Sequence, residues 1–204
     1  MFRVALTSPA DSGPGTWADA DMLQVCNYGK GGANAGGRGD GGMTLEEYRA
    51  SYAIWAILAS PIIISADVRT LSADHPECLA MLKNSEMIAI HQDALAKPGQ
   101  LARQTTNASD SRPAAARTDN IVEQVFVREL SAGAWAVVLF NRAEGPRTIA
   151  VSFAELGLPE HQYTVTPVWE DARLPAAGDY AEGYTAKVEP HHVVMIKLVP
   201  TTSA

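Results

Sequence analysis

The sequence predicts an α/β segment followed by an all-β domain, and three observations carry that reading. Between residues 21 and 90 a short apolar run, an amphipathic stretch, a run of isoleucines and a second amphipathic stretch follow one another. That is the strand–helix–strand–helix order of α/β folds. After about residue 98 the grammar changes to short runs in which apolar and polar residues alternate, with no helical period. Between the two lies a polar linker, "QTTNASDSRPAAARTDN" (104–120), which sets the boundary near residues 98–103. Residues 1–98 are thus expected to form the α/β part and residues 99–204 an antiparallel β-sandwich.

The elements follow in order. The first residues, with Pro9, Gly13, Pro14 and Gly15, are irregular, and "DMLQV" (21–25) is a short strand. In "NYGKGGANAGGRGDGG" (27–42) half the residues are glycine, which predicts a loop insertion. No GKS or GKT follows it, so it is not a phosphate cradle. Thr44 with Glu47 three residues on is a capping-box signature, and apolar residues recur along "LEEYRASYAIWAILAS" up to Pro61. A helix buried along one long face is expected there. The run "PIIISAD" (61–67) reads as a strand covered on both faces, the parallel-sheet type. A second helix opens at Ser72, and "EMIAI" (86–90) is a short apolar piece after it. In the β domain, "IVEQVFVREL" and "AWAVVLFN" are joined by "SAG", a hairpin signal. "RTIAVSF", "YTVTPVWE", "YTAKVE" and "HHVVMIKLV" follow, with one turn at 154–157.

The bulk properties exclude several classes. The net charge of the 204-residue chain is −7, so no basic field exists to neutralise phosphates. A nucleic-acid or anionic-membrane partner is not expected. No apolar run reaches the length that spans a bilayer, and "MFRVALTSPADSG" lacks the apolar stretch of a signal peptide. Cys26 and Cys78 make neither a disulfide framework nor a zinc site, and two buried thiols are expected over a bridge. One glycosylation sequon, Asn107-Ala108-Ser109, would matter only in a secreted protein.

Few residues stand out as carriers of chemistry. Asp19 and Asp21 flank Ala20 at the start of an apolar strand, in "GTWADADMLQV" (15–25). Carboxylates in such surroundings are paired or used. Asp67 closes the second strand, where sites form in α/β sheets, and the alternative is a loop cap with Arg69. His91 and Asp93 read as a structural pair. His191 and His192 are adjacent in a predicted strand, so they face opposite ways and do not share a metal. His75 and His161 have no suggestive neighbours. There is no GxSxG elbow and no HExxH.

Three segments taken together resemble the α-galactosidases of glycoside hydrolase family 27: "GTWADADMLQV", "GGMTLEEYRASYAIWAILASPIIISADVRTLS" and "LKNSEMIAIHQDALAKPGQ". They occur in family order over about residues 15–105. The family's first segment usually reads W-N-D-P-D-M-L, where this chain has Ala18 and Ala20 in place of the Asn and Pro. The resemblance implies the last two βα units of a (β/α)8 TIM barrel followed by an antiparallel β-sandwich. It implies retaining hydrolysis of a terminal α-linked galactose by two carboxylates. By the same resemblance Asp21 and Met22 line the galactose pocket as substrate-binding residues, Asp19 fixes the loop and Trp17 packs beneath it. The family's nucleophile and acid/base aspartates belong to segments expected upstream of Trp17, so no residue here takes a catalytic role and the chain alone is expected to be inactive.

The resemblance further implies no cofactor, no metal, an α-galactoside carbohydrate as substrate, and a secreted or lysosomal location. A homodimer is compatible with it. Two other readings stand beside it. One is an α-N-acetylgalactosaminidase of the same family. The other is a non-catalytic carbohydrate or protein interaction module built on the sandwich, for which Trp135 and Trp169 would have to be exposed for stacking.

Overall fold

The computed structural model describes residues 12–28, 43–107, 120–169, 174–175 and 177–201. The Gly-rich stretch 29–42 and most of the polar linker, 108–119, lie outside these residues, as does the sequon beyond Asn107.

Alternating strands build the second half. β1 (Gln100–Thr106), β2 (Ile121–Glu129), β3 (Trp135–Asn141), β4 (Arg147–Ser152), β5 (Tyr163–Pro167), β6 (Gly178–Tyr180), β7 (Gly183–Val188) and β8 (Val193–Pro200) pair into two antiparallel sheets. The larger has the order β1-β2-β3-β8-β5-β6, and the smaller is β4-β7. Register decides which side chains share a face. Val125 opposes Leu139, Val127 opposes Val137, and Val137 and Leu139 oppose Ile196 and Val194. These residues form one core with Ile149, Val151, Tyr184, Ala186 and Val188 of the small sheet. The residues between them, Phe126, Ala136, Val138 and Met195, face the other way into a second core. The central strands are therefore buried on both faces, which is why "AWAVVLFN" is apolar almost throughout rather than cleanly alternating. The "SAG" hairpin turns through Ala132 and Gly133, both at positive φ. β1 and β6 went unpredicted, because a polar edge strand and a three-residue strand carry little apolar signal.

The second core is completed by α1 (Leu45–Ile57). Thr44 caps it: the Glu47 N–H donates to the Thr44 hydroxyl at 3.2 Å, and the Thr44 N–H donates to the Glu47 carboxylate at 2.8 Å. Tyr52, Ile54, Trp55 and Ile57 are buried. In place of one second helix, three short ones follow: α2 (Leu71–Asp74), α3 (Pro76–Leu82) and α4 (Ser85–His91). Pro76 removes an N–H and so starts a new helix. The Asn84 side chain caps α4 by accepting from the Met87 N–H at 2.8 Å, so "EMIAI" is helical.

The two parallel strands reduce to a single bridge, Leu23 with Ile64. The Leu23 N–H donates to the Ile63 carbonyl at 2.9 Å and its carbonyl accepts the Ser65 N–H at 3.2 Å. Asp21 and Cys26, at φ 73 and 58, turn the chain away on either side. Nor is "PIIIS" covered on both faces: Ile63 is 57% and Ile64 40% exposed. Among the described residues each of these segments pairs with the other alone.

One cation ties the two halves together. Arg128 of β2 is 1% exposed and donates to the carbonyls of Ala56 at 2.7 Å, Lys97 at 2.8 Å and, more weakly, His91 at 3.4 Å. Ala56 and His91 end α1 and α4, where the helix dipole favours a cation. Burial pulls the guanidinium down to about 10, with Asp93 opposing. Gly99 permits this approach: a Cβ there would lie 2.4 Å from the Ile57 carbonyl and 3.0 Å from the Arg128 Cβ.

Candidate functional site

The predicted site loop is built around Asp21. The Asp19 carboxylate accepts the Asp21 N–H at 2.8 Å, and the Asp21 carboxylate accepts the Met22 N–H at 2.6 Å. These bonds, with the Trp55 indole N–H donating to the Asp21 carbonyl at 3.1 Å, hold a non-glycine residue at positive φ. Behind the loop, Ala20 is buried and its N–H donates to the Ser60 hydroxyl at 2.8 Å. That hydroxyl in turn donates to the Ala18 carbonyl at 3.0 Å. Ser60 is itself fully buried, and its carbonyl meets His91 Nε2 at 2.8 Å. Only a protonated ring nitrogen can serve a carbonyl, so Nε2 carries a hydrogen. Burial pushes the imidazole below its usual range, so it does so as the neutral tautomer.

On this frame Asp19 and Asp21 are exposed, Trp17 is 38% exposed and Met22 47% exposed. Each carboxylate spends one oxygen on the backbone and leaves the other toward solvent, where a sugar hydroxyl could donate to it.

Asp67 is elsewhere. It follows Ile64 while Asp21 precedes Leu23, so the two lie toward opposite ends of the parallel bridge. Asp67 accepts Arg69 Nε at 2.9 Å, Nη2 at 2.7 Å and the Arg69 N–H at 3.1 Å. These bonds hold its carboxyl at about 2, which is the loop-cap alternative. It lines a cleft of about 240 Å3 with Cys26, Asn27, Thr70, Asp74 and His75. Cys26 and Cys78 form a disulfide with a Cα separation of 5.9 Å, against the expectation of two thiols. Two cysteines 52 residues apart carry no pattern from which the fold's closure could be read. Beside the bridge, Tyr28 stacks on His75 at 4.0 Å and donates to Glu77 at 3.0 Å; burial and then Glu77 push it up to about 12.

The histidine expectations are corrected in detail. His91 and Asp93 do not pair: Asp93 accepts from Ser131 Oγ at 2.7 Å and from the Ser131 N–H at 2.8 Å. His191 and His192 precede β8 in a turn, with His191 at φ 61, instead of lying in a strand. His191 reaches Glu47 at 3.1 Å and Glu144 at 3.3 Å, and His192 lies 3.8 Å from Glu46. No group of metal-ligating residues occurs among the described residues. No helix is long and apolar enough to cross a membrane. Trp135 and Trp169 are half-buried and pack against the cores, with their indole N–H groups enclosed. Ser60, Trp55 and Arg128 were missed; a lone arginine inside "IVEQVFVREL" is the one signal that could have pointed to Arg128.

Residues 6–93 match the family described as Alpha galactosidase A, and residues 123–198 the Alpha galactosidase C-terminal beta sandwich domain. The chain is 33% identical to Alpha-galactosidase 3 of Arabidopsis thaliana over 95% of its own length and 38% of that protein. It is 31% identical to Alpha-N-acetylgalactosaminidase of Gallus gallus over 93% of itself and 40% of that protein. Alpha-galactosidase I of Mortierella vinacea shares its fold with a TM-score of 0.72 at 24% identity, over 98% of this chain and 44% of that one. The chain thus spans about two-fifths of the length of these relatives. With both of its parts matched in order, the chain belongs to the α-galactosidases of glycoside hydrolase family 27.

Proposed function

We propose that this chain supplies part of a retaining α-galactosidase, with Asp21 and Met22 as one wall of the pocket for a terminal α-linked galactose. The observation that supports this most is the loop itself: a non-glycine residue held at φ 73 by Asp19 and Trp55 next to an exposed, immobilised carboxylate and an exposed methionine. Strain of this kind persists where the surroundings over-determine it, and such positions cluster at ligand sites. Asp21 offers an acceptor to a sugar hydroxyl, Met22 an apolar surface to a ring face, and Asp19 fixes the loop while Trp17 flanks it. Residues 1–98 would be the last two βα units of the barrel and residues 99–204 the β domain. The nucleophile and the acid/base group would come from elsewhere in the barrel, so the chain alone would be inactive, and the reaction needs no cofactor. The whole protein would act in a secreted or lysosomal setting. The matched family and the Arabidopsis relative favour galactose over N-acetylgalactosamine.

The test is a graft. Residues 12–201 replace the matched segment of Arabidopsis α-galactosidase 3, and hydrolysis of an aryl α-galactoside is followed. The graft should be active, and Asp21→Asn should lower kcat/KM by about tenfold to a hundredfold, the cost of one charge-assisted hydrogen bond. A folded graft that neither binds galactose nor hydrolyses the substrate sinks the reading.

A further inference from the structure

We propose that the cleft between α1 and the end of β3 is a binding site for a small amphipathic anion, a carboxylate carried on an apolar body, with Arg142 as its anchor. The site shares no residue with the Asp21 loop, so the proposal goes beyond the galactose pocket and stands apart from it.

The cleft has a volume of about 300 Å3. Its apolar part is Met43, just before α1, with Ala50 and Ile54 on the helix and Phe140 on β3. Arg142, His191 and Glu47 line the same space. Apolar walls with a few convergent polar groups are the usual make of a small-molecule site.

The charges select the ligand. Glu47 is spent: one carboxylate oxygen accepts from the N–H and hydroxyl of Thr44 at 2.8 and 3.1 Å, and the other meets His191 Nδ1 at 3.1 Å. His191 Nε2 lies 3.3 Å from Glu144. Arg142 is the group left over. It is half-buried, and among the described residues its guanidinium makes one hydrogen bond, to the Gln124 side chain at 3.4 Å, and no ion pair. Burial lowers its pKa, and no carboxylate among the described residues offsets that. A guanidinium drawn out of water without a counter-ion is costly. It is also the side chain whose paired N–H groups fit a planar carboxylate. An anion is therefore favoured over a neutral sugar, and the apolar residues beside Arg142 favour an anion with an apolar body. The cleft beside Asp67 differs: Asp67 is already paired with Arg69, and Asp74 adds a second negative charge.

The anchor is held in place before any ligand arrives. Asn141, fully buried between Phe140 and Arg142, reaches the carbonyls of Gly145, Val188 and Glu189 at 2.9, 3.0 and 3.1 Å. Its side-chain oxygen accepts the Ala143 N–H at 2.9 Å. The Arg142 N–H donates to the Val122 carbonyl at 3.0 Å, and the Asn141 N–H to the His192 carbonyl at 3.0 Å. These bonds fix the backbone on which Arg142 stands and, through His192, the turn that keeps His191 at φ 61. Non-glycine residues held at positive φ cluster at ligand sites, and fixed walls reduce the ordering cost of binding.

The test uses the intact chain and 3-phenylpropionate, whose ring and carboxylate match the two parts of the cleft. An NMR titration of the backbone amides locates the site, and calorimetry reads affinity. A dissociation constant of about 0.1–1 mM is expected for a ligand of about eleven heavy atoms, with shifts centred on Ala50, Ile54, Phe140 and Arg142. Arg142→Gln should weaken binding by about tenfold or more, as should replacing the acid with its neutral amide. Ser51→Phe, which fills the cleft from the helix side without changing a charge, should abolish it. Lys197→Gln, at a cation paired with Glu86, should bind as the parent does. Thermal unfolding of each variant checks the fold. The absence of binding by the parent overturns the proposal. So does binding indifferent to both Arg142→Gln and Ser51→Phe, which would put the probe elsewhere. An amide that binds as tightly as the acid overturns the charge requirement, and inorganic phosphate that binds as tightly as the acid overturns the apolar one.

Discussion

The same residue type has opposite surroundings in the two halves of this chain. Ile149 and Ile196 of the sandwich are 1% and 0% exposed, whereas Ile63 and Ile64 of the ribbon are 57% and 40% exposed. The sandwich closes within the chain: each face of its large sheet is covered, one by β4 and β7 and the other by α1. Among the described residues the ribbon is covered on the side of Leu23, Val25 and Trp55, and Ile63 and Ile64 are exposed on the other. The comparison separates stability from recognition. Both halves contain closely packed cores, and among the described residues the exposed isoleucines Ile63 and Ile64 and the exposed carboxylates Asp19 and Asp21 lie together in the first half.

Truncations can break or sharpen that contrast, beginning with the largest effect. Ile196→Ala should cost about 4 kcal/mol in urea unfolding, the cost of a cavity in a closed core, while Ile63→Ala should stay within about 0.5 kcal/mol. Similar losses at the two positions would dissolve the distinction. Arg128→Met should cost about 3 kcal/mol, because it strips charged hydrogen bonds from the carbonyls of Ala56, Lys97 and His91 in a site that water cannot fill. Removing both cysteines, Cys26→Ala with Cys78→Ala, should cost about 2–3 kcal/mol by freeing a long loop in the unfolded chain. Its effect on hydrogen exchange should fall on residues 21–28 more than on β3. Trp55→Phe should cost about 1 kcal/mol, one buried hydrogen bond, with the change centred on Asp21.

The smallest effect is a pH dependence at the seam between the halves. His191 is raised, first by its bond to Glu47 and then, against burial, by Glu144. A raised histidine stabilises the fold below its unfolded value of about 6.5 and loses that contribution as pH rises through the folded value. Glu47 is lowered: burial opposes the change, and the bonds from Thr44 and His191 outweigh it. Its contribution is present above about 4.3 and lost as pH falls through its folded value. The stability gap between the parent and Glu47→Gln should therefore be wider near about pH 5.5 than near about pH 8.5. A gap that widens toward alkaline pH would contradict the pairing.

How much of this was legible differs along the same line. Alternation exposed β4, β5 and β7, which bury one face, while β2, β3 and β8 showed as short, nearly continuous apolar runs because both of their faces are buried. Thr44 and Glu47 marked the start of α1, because capping is local. β1 escaped because an edge strand with the pattern Gln-Leu-Ala-Arg-Gln-Thr-Thr packs few apolar atoms. "PIIIS" gave its type correctly in composition and wrongly in coverage, since the sequence shows what a strand is suited to and not whether its neighbours are present. At the site, Trp17, Asp19, Asp21 and Met22 were visible through the resemblance. Ser60, Trp55 and Arg128 were not, for each acts on backbone carbonyls or amides brought near by the fold, and such partners leave no trace in a residue pattern.

Native-state hydrogen exchange of the unmodified chain tests the central contrast most directly. The account predicts that the amides of Val137, Leu139 and Ile196 exchange only through global unfolding, while those of Gln24 and Ile64 exchange orders of magnitude faster, at rates typical of open edges. Protection of Gln24 and Ile64 equal to that of Leu139 would contradict it, because the ribbon would then already be closed.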